Sequence, residues 1–177
     1  MSRFKKSGFT VLELITVMAI VAILLAAGVP ALKTYIWNLR MKTAMDELQT
    51  DLNLTRGRAI SHNIQTIICP STNNSGCSGG FEWQNGWIMF TDLNGDRARQ
   101  VGEPVFKQSG RMEFLTISSS RSRSYLRFYP NGTAPGSNIT ILFCDSRGAN
   151  HAGKIVVSNS GRIRSEVPAD VAEDACV

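Results

Sequence analysis

The stretch Lys5-Lys6-Ser7-Gly8-Phe9-Thr10-Val11-Leu12-Glu13-Leu14 decides the fold, because it opens an apolar run that continues to Leu32. Glu13 is the last charged residue before that run ends. The 19 residues from Leu14 to Leu32, at a helical rise of ~1.5 Å each, nearly cross a ~30 Å hydrocarbon core. A carboxylate at the edge of such a run is unfavourable unless it pairs with a cation, so Glu13 is a candidate functional residue.

These residues resemble the N-terminus of type IV prepilins and type II secretion pseudopilins, where a short basic leader precedes a glycine, a phenylalanine and a glutamate. Gly8, Phe9 and Glu13 occupy those positions. The resemblance implies that a prepilin peptidase cleaves after Gly8 and methylates the amine of Phe9. Glu13 would then meet the terminal amine of a neighbouring subunit, the cation that a buried carboxylate needs. A secretory signal, whose apolar core is only about 7–15 residues long, and a simple single-pass anchor are the alternatives.

The pattern beyond the apolar run predicts a helix that continues to about Ser61 and ends near Asn63. Apolar residues recur there at helical spacing, while Arg40, Lys42, Glu47 and Asp51 take the other faces. The recurring apolar residues are Met41, Met45, Leu48, Leu52 and Ala59. We therefore expect a leader at 1–8, a transmembrane and polymerisation helix at 9–32, an amphipathic helix at 33–62 and a globular head at 63–177.

Short strand-like runs separated by turn residues follow the helix, which predicts an α+β fold with an antiparallel sheet packed on a long N-terminal helix. The predicted strands are Gln65–Cys69, Gly86–Thr91, Pro104–Lys107, Glu113–Ile117, Tyr125–Tyr129, Thr140–Cys144, Lys154–Ser158 and Arg162–Ser165. The helix, the Gly-Trp-Ile-Met-Phe-Thr-Asp-Leu-Asn-Gly-Asp segment that begins at Gly86, and a late Phe-Tyr-Pro-Asn-Gly resemble the GspH/FimT group of minor pilins and pseudopilins. That resemblance implies a type IV pilin-like fold.

Four cysteines, Cys69, Cys77, Cys144 and Cys176, suggest two disulfides in an exported chain. Three pairings are open. The local pair Cys69–Cys77 would leave Cys144–Cys176 to tether the tail. A zinc site is the weaker alternative, because no CxxC pair is present.

Metal binding is not expected at the one loop that resembles a calcium site. Four positions of an EF-hand-like loop are matched, by Asp92, Asn94, Asp96 and Glu103. Arg97, however, stands where that loop needs glycine. We expect a polar hairpin loop there. The sequence also shows no catalytic set and no phosphate-binding glycine loop, so neither enzyme activity nor a cofactor is predicted.

Basic residues dominate the last third of the chain. Nine lie between Lys107 and Arg164 against two acidic ones, and four acidic residues follow Ser165. A basic segment followed by an acidic tail suggests an anionic partner. If Tyr125 lies in a strand, then Arg121, Arg123 and Arg127 share its exposed face.

A second basic element is Gly161-Arg162-Ile163-Arg164, where Ile163 would face the core and the two arginines solvent. It resembles the DNA-binding motif of the FimT-type minor pilins of natural transformation. That resemblance implies a DNA-binding role for Arg162 and Arg164 and for no other residue. Guanidinium groups suit phosphate, and contacts to phosphate are independent of sequence. Lys154 is a further candidate contact.

The combined interpretation is a minor pilin, anchored in the bacterial inner membrane before it joins a pilus, that binds double-stranded DNA for uptake. Its expected partners are DNA, other pilin subunits, the inner membrane and the prepilin peptidase. A structural minor pilin or secretion pseudopilin without DNA binding is the main alternative, with the arginines as solvated edge charges. An adhesin for acidic polysaccharide is a third.

Overall fold

The computed structural model describes residues 10–120, 122–166 and 176. The chain divides into two compact units, one ending at Leu39 and one beginning at Arg40. Its long helix, α1, runs from Val11 to His62, one residue beyond the predicted end at about Ser61.

In the first unit, α1 is apolar and its side chains are exposed. Thr10 caps its start, because its hydroxyl accepts a hydrogen bond of 3.2 Å from the Glu13 N–H. The helix continues through Pro30, which has no N–H to donate. With a mean hydropathy of 2.5 in its most apolar stretch, α1 is long and apolar enough to cross a membrane. Those properties fit a membrane-anchored chain.

In the second unit, α1 buries one stripe. The buried residues are Met41, Ala44, Leu48, Asp51, Leu52, Thr55 and Ala59. The placement of Asp51 on a face other than the apolar stripe was therefore wrong, since its side chain lies in that stripe and has no solvent exposure. The helix ends as expected at Asn63, whose φ of 51° allows Ile64 to donate to the Ala59 carbonyl at 3.2 Å.

Among the described residues after α1, the second unit forms two four-stranded antiparallel sheets, where the sequence suggested one. The strands are β1 Gln65–Pro70, β2 Trp87–Asp92, β3 Val105–Ser109, β4 Thr116–Ser119, β5 Leu126–Phe128, β6 Ile139–Cys144, β7 Gly153–Val157 and β8 Ile163–Glu166. The first sheet has the order β3-β2-β1-β5 and the second has β4-β6-β7-β8. The structure thus confirms the α+β, pilin-like prediction and all eight predicted strands, with shifted ends.

The main core lies where α1 and both sheets meet, and it holds Trp83, Trp87, Phe128 and Phe143. A second apolar cluster covers the other face of the first sheet, around Ile67, Cys69, Ile88 and Phe90, and Tyr125 packs against it. We call this side of the first sheet its far face. Alternation along β5 puts Leu126 and Phe128 in the main core and Arg127 toward the far face.

Candidate functional site

The predicted turn before the last strand positions two arginines. Gly161 donates from its N–H to the Ser158 carbonyl at 2.8 Å, and Ser158 donates to the Arg162 carbonyl at 3.0 Å. Ile163 then packs against the main core, while Arg162 and Arg164 are exposed. The structure therefore shows the orientation expected from the sequence. Ile163 is anchored against the core between the two arginines, so both arginine side chains face solvent.

A carboxylate lies among these basic groups. Glu166 pairs with Lys154, with Nζ to Oε2 at 3.1 Å, and lies 3.8 Å from the Nε of Arg164. All three side chains are partly exposed, so each pair contributes at most about 1 kcal/mol. Arg162 has no ion pair or side-chain hydrogen bond in the part of the chain that the structure describes. Glu166 thus competes with any anion that approaches Lys154 and Arg164.

The expectation of an arginine stripe on one strand was wrong. β5 begins only at Leu126, so Arg123 precedes it and donates instead to the Gly136 carbonyl at 2.7 Å and to the Asn138 side chain at 3.2 Å. Arg121 lies outside the described residues. Of Arg123 and Arg127, only Arg127 lies in the strand, and the Arg123 N–H donates to the Ser120 carbonyl at 2.8 Å instead of pairing in a sheet.

Basic and aromatic side chains gather instead on the far face of the first sheet. The guanidinium carbon of Arg127 lies 4.7 Å from the centre of the Tyr129 ring, a cation–π distance. Arg97 donates from Nη1 to the Tyr125 hydroxyl at 3.1 Å. This bond raises the pKa of Arg97 above its ordinary value. The sequence analysis used Arg97 only as an argument against a calcium site and did not predict its bond to Tyr125.

The carboxylates of the calcium-like loop are occupied by backbone groups. Asp92 accepts from the N–H of Gly95 and of Arg97, at 2.8 and 3.3 Å. Glu103 accepts from the N–H of Leu93 and of Gln100, at 2.8 and 2.9 Å. Both side chains belong to nearly buried residues. These oxygens therefore hold the loop in shape, as the hairpin-loop interpretation predicts.

A second carboxylate forms a local ion pair at the end of β6. Burial raises the pKa of Asp145, but hydrogen bonds from Arg147 outweigh it, so the pKa lies below its ordinary value. Arg147 donates from Nη2 to Asp145 Oδ2 at 2.6 Å and from its backbone N–H to Oδ1 at 2.9 Å. Arg147 is therefore a structural arginine and not a candidate for binding an anion.

The cysteines form the pairs Cys69–Cys77 and Cys144–Cys176. The first closes the polar loop after β1, and the second ties Cys176 to the end of β6. Gly8 and Phe9, the predicted processing residues, lie outside the described residues. Glu13 lies in the first turn of α1, exposed. In the described chain, no group of three or more His, Cys, Asp or Glu residues could hold a metal ion.

Comparison with protein families decides the identity of the chain. Residues 44–161 match the model of the type II transport protein GspH, which covers most of the chain. The chain belongs to the GspH family. Residues 3–29 of this family member match the prokaryotic N-terminal methylation motif. That match covers Gly8, Phe9 and Glu13, which supports the comparison with prepilins on which the expected leader rests.

Individual relatives are pilins and pseudopilins. The pilin-like protein PilA1 of Thermus thermophilus is 28% identical over 91% of this chain and 99% of its own length. The fold is similar to that of the minor pilin FimU of Pseudomonas aeruginosa, with a TM-score of 0.57 and 21% identity over 71% of this chain and 87% of the FimU chain. It is also similar to the minor pseudopilin EpsH of Vibrio cholerae, with a TM-score of 0.52 and 10% identity over 74% of this chain and 99% of the EpsH chain. This GspH-family chain is accordingly a minor pilin or pseudopilin.

Proposed function

We propose that this GspH-family protein is a minor type IV pilin whose second unit binds extracellular double-stranded DNA without sequence preference, for uptake in natural transformation. The observation that carries the proposal is the exposed pair Arg162 and Arg164, held outward by the half-buried Ile163, which packs against the main core. Forked guanidinium donors match phosphate oxygens and keep their charge at any physiological pH.

In this mechanism Arg162 makes the strongest contact, because it has no competing carboxylate in the described chain. Arg164 and Lys154 reach phosphate only after they release Glu166, which lies 3.8 and 3.1 Å from them. The adsorption is electrostatic and weakens with salt, because each phosphate contact releases condensed counterions.

Processing and assembly complete the proposal. A prepilin peptidase cleaves after Gly8 and methylates Phe9, and α1 holds the protein in the inner membrane until it joins a filament. Glu13 then pairs with the terminal amine of a neighbouring pilin subunit. The support is the methylation-motif match over residues 3–29 together with an apolar helix of membrane-spanning length.

The test is duplex-DNA binding by the full chain in detergent micelles, measured by fluorescence anisotropy at 50–200 mM salt (a range over which phosphate contacts weaken strongly). We expect Arg162→Gln/Arg164→Gln to weaken binding about tenfold or more, since two charge-assisted contacts are lost. Glu166→Gln should strengthen binding, because it frees Lys154 and Arg164. Unaltered binding by the double variant would disprove the arginine site.

The second candidate is a structural minor pilin or secretion pseudopilin that binds only other subunits. One observation favours it: Glu166 already pairs with two of the basic residues. A deletion strain that loses protein secretion but keeps DNA uptake would support this candidate and contradict the first.

A further inference from the structure

A small cavity opens among three loops on the far face of the first sheet. Its volume is about 290 Å³, and its walls include Arg97, Arg99 and Tyr125 together with the end of the Cys69–Cys77 loop. None of these residues belongs to the arginine pair proposed above. The cavity is therefore a separate feature with two guanidinium groups in its lining.

Both guanidinium groups are bonded to neutral atoms. Arg97 donates to the Tyr125 hydroxyl, and Arg99 donates to the carbonyls of Ser75 and Glu103 at 3.0 and 3.4 Å. In the described part of the chain, neither forms an ion pair within 4.0 Å. The nearby carboxylates of Asp92 and Glu103 are occupied by backbone N–H groups. The cavity thus presents two positive charges without a bound counter-charge, in contrast to Lys154 and Arg164.

Arg97 is held in a backbone conformation that disfavours it. Its φ is 71°, in the left-handed region that suits glycine, and its side chain is exposed. Within the described chain its guanidinium makes one side-chain hydrogen bond, to Tyr125. An arginine at a glycine position, fixed by Asp92 and directed at a cavity, is a strained arrangement of the kind found at binding sites.

A series of arginines connects this cavity with Arg162. Arg127 lies on the far face between Tyr125 and Tyr129, and its buried Nε has no hydrogen-bond partner in the described chain. The turn after β5 packs on the turn before β8, where Ala134 donates to the Asn159 carbonyl at 2.8 Å. Arg56 donates to the Gly132 carbonyl at this junction, at 2.9 Å. The four residue steps from Tyr125 to Tyr129 cover ~13 Å in extended backbone, which equals the rise of about four base pairs at ~3.4 Å each along the axis of a DNA duplex.

We infer that the cavity of Arg97, Arg99 and Tyr125 is a phosphate-binding site, and that it holds the DNA strand which runs along β5 toward Arg162. This inference rests on the proposed DNA binding and adds a contact surface to it on the first sheet. The exposed nitrogens of Arg97 face an approaching phosphodiester, and Arg99 fixes the loop that carries them. Arg127 supplies charge between the cavity and Arg162.

The decisive variant is Arg97→Gly, because glycine suits the φ of 71° and leaves the backbone bonds to Asp92 intact. We expect the thermal midpoint of the full chain in micelles to stay constant or rise by about 1–3 °C. Duplex affinity should fall about five- to tenfold, and the slope of log affinity against log salt should become shallower by about 0.9. Arg111→Gln is the matched control, since this exposed arginine follows β3 at the end opposite the Arg97 loop.

The outcomes separate this inference from the proposed function. Wild-type affinity and salt slope in Arg97→Gly, or an equal loss of affinity in Arg111→Gln, would overturn the cavity site. Neither outcome would contradict the proposed role of Arg162 and Arg164. Loss in Arg97→Gly with normal binding by Arg162→Gln/Arg164→Gln would support the cavity and disprove the arginine pair. Wild-type protein that binds heparin but not duplex DNA would overturn both in favour of an acidic polysaccharide.

Discussion

At the scale of single residues, Gly161 determines where Arg162 points. Its φ is +77°, and a Cβ on it would lie 1.9 Å from the Gly132 carbonyl oxygen, which cannot move because it belongs to backbone. The same oxygen accepts the Arg56 Nε hydrogen bond. Gly161 is thus a contact residue between two turns as well as a turn former.

Gly161→Ala should therefore lower the free energy of unfolding by about 2–4 kcal/mol, because strain at a positive φ and a backbone clash add together. Urea unfolding of the full chain in micelles, followed by tryptophan fluorescence, measures this. Gly110→Ala is the control, since a Cβ there meets nothing within 4 Å. Equal stability of the two variants would show that the turns at Gly132 and Gly161 can move apart without lowering the free energy of unfolding.

Some residue-scale features could be predicted from sequence and others could not. Asn63 and the turn at Gly161 follow from local preferences for left-handed backbone. Arg97 does not, because its role depends on Tyr125, which lies 28 positions away along the chain. The ion pair of Glu166 with Lys154 likewise depends on the β7–β8 register, which places these two residues opposite each other.

At the scale of elements, a buried carboxylate connects α1 to the first sheet. Asp51 accepts a hydrogen bond from the Trp87 indole N–H at 2.9 Å and forms an ion pair with Lys107 of β3. Thr55 and Thr66 extend the connection, since Thr66 donates to the Thr55 carbonyl at 2.9 Å. Lys107 is consequently a structural cation.

Asp51→Ala should lower the free energy of unfolding by about 2–4 kcal/mol, because it leaves the Trp87 N–H and the Lys107 ammonium without their partner. Urea unfolding again provides the measurement. Asp46→Ala, on an exposed position of the same helix, should change stability by less than about 0.5 kcal/mol. A similarly small effect of both variants would show that water satisfies the Trp87 N–H and the Lys107 ammonium as well as the Asp51 carboxylate does.

The type of each element could be predicted from the sequence, whereas the residues that belong to each element were harder to predict. Alternation identified β6 and β7, because Ile141, Phe143, Ile155 and Val157 are buried every second residue. The predicted arginine stripe needed a strand as far back as Arg121, because Arg121 to Tyr125 also alternates in sequence. The Arg123 N–H instead donates to the Ser120 carbonyl, a bond that competes with strand pairing and that no local pattern predicts.

At the scale of the whole molecule, the division after Leu39 separates an apolar helix from a folded unit. The buried residues of α1 begin at Met41, and the strands of the described chain lie after His62. The exposed apolar side chains of the first unit, such as Leu12, Ile23 and Leu24, are 65–73% accessible and suit hydrocarbon rather than water. Composition alone revealed the apolar run, but the position of the division depends on which helix residues the sheets bury.

Because the buried apolar residues that the structure describes lie between Met41 and Val157, a chain that begins at Thr34 should fold without detergent and keep both disulfides. Its thermal midpoint should lie within about 3 °C of that of the full chain in micelles. A chain that begins at Leu48 is the matched control, since it lacks the buried Met41 and Ala44 and the contacts of Met45 with Gly153. Its midpoint should fall by about 5 °C or more, because lost core side chains destabilise by about 2 kcal/mol or more each. Aggregation of the longer fragment, with both disulfides formed, would show that the second unit needs the first to fold.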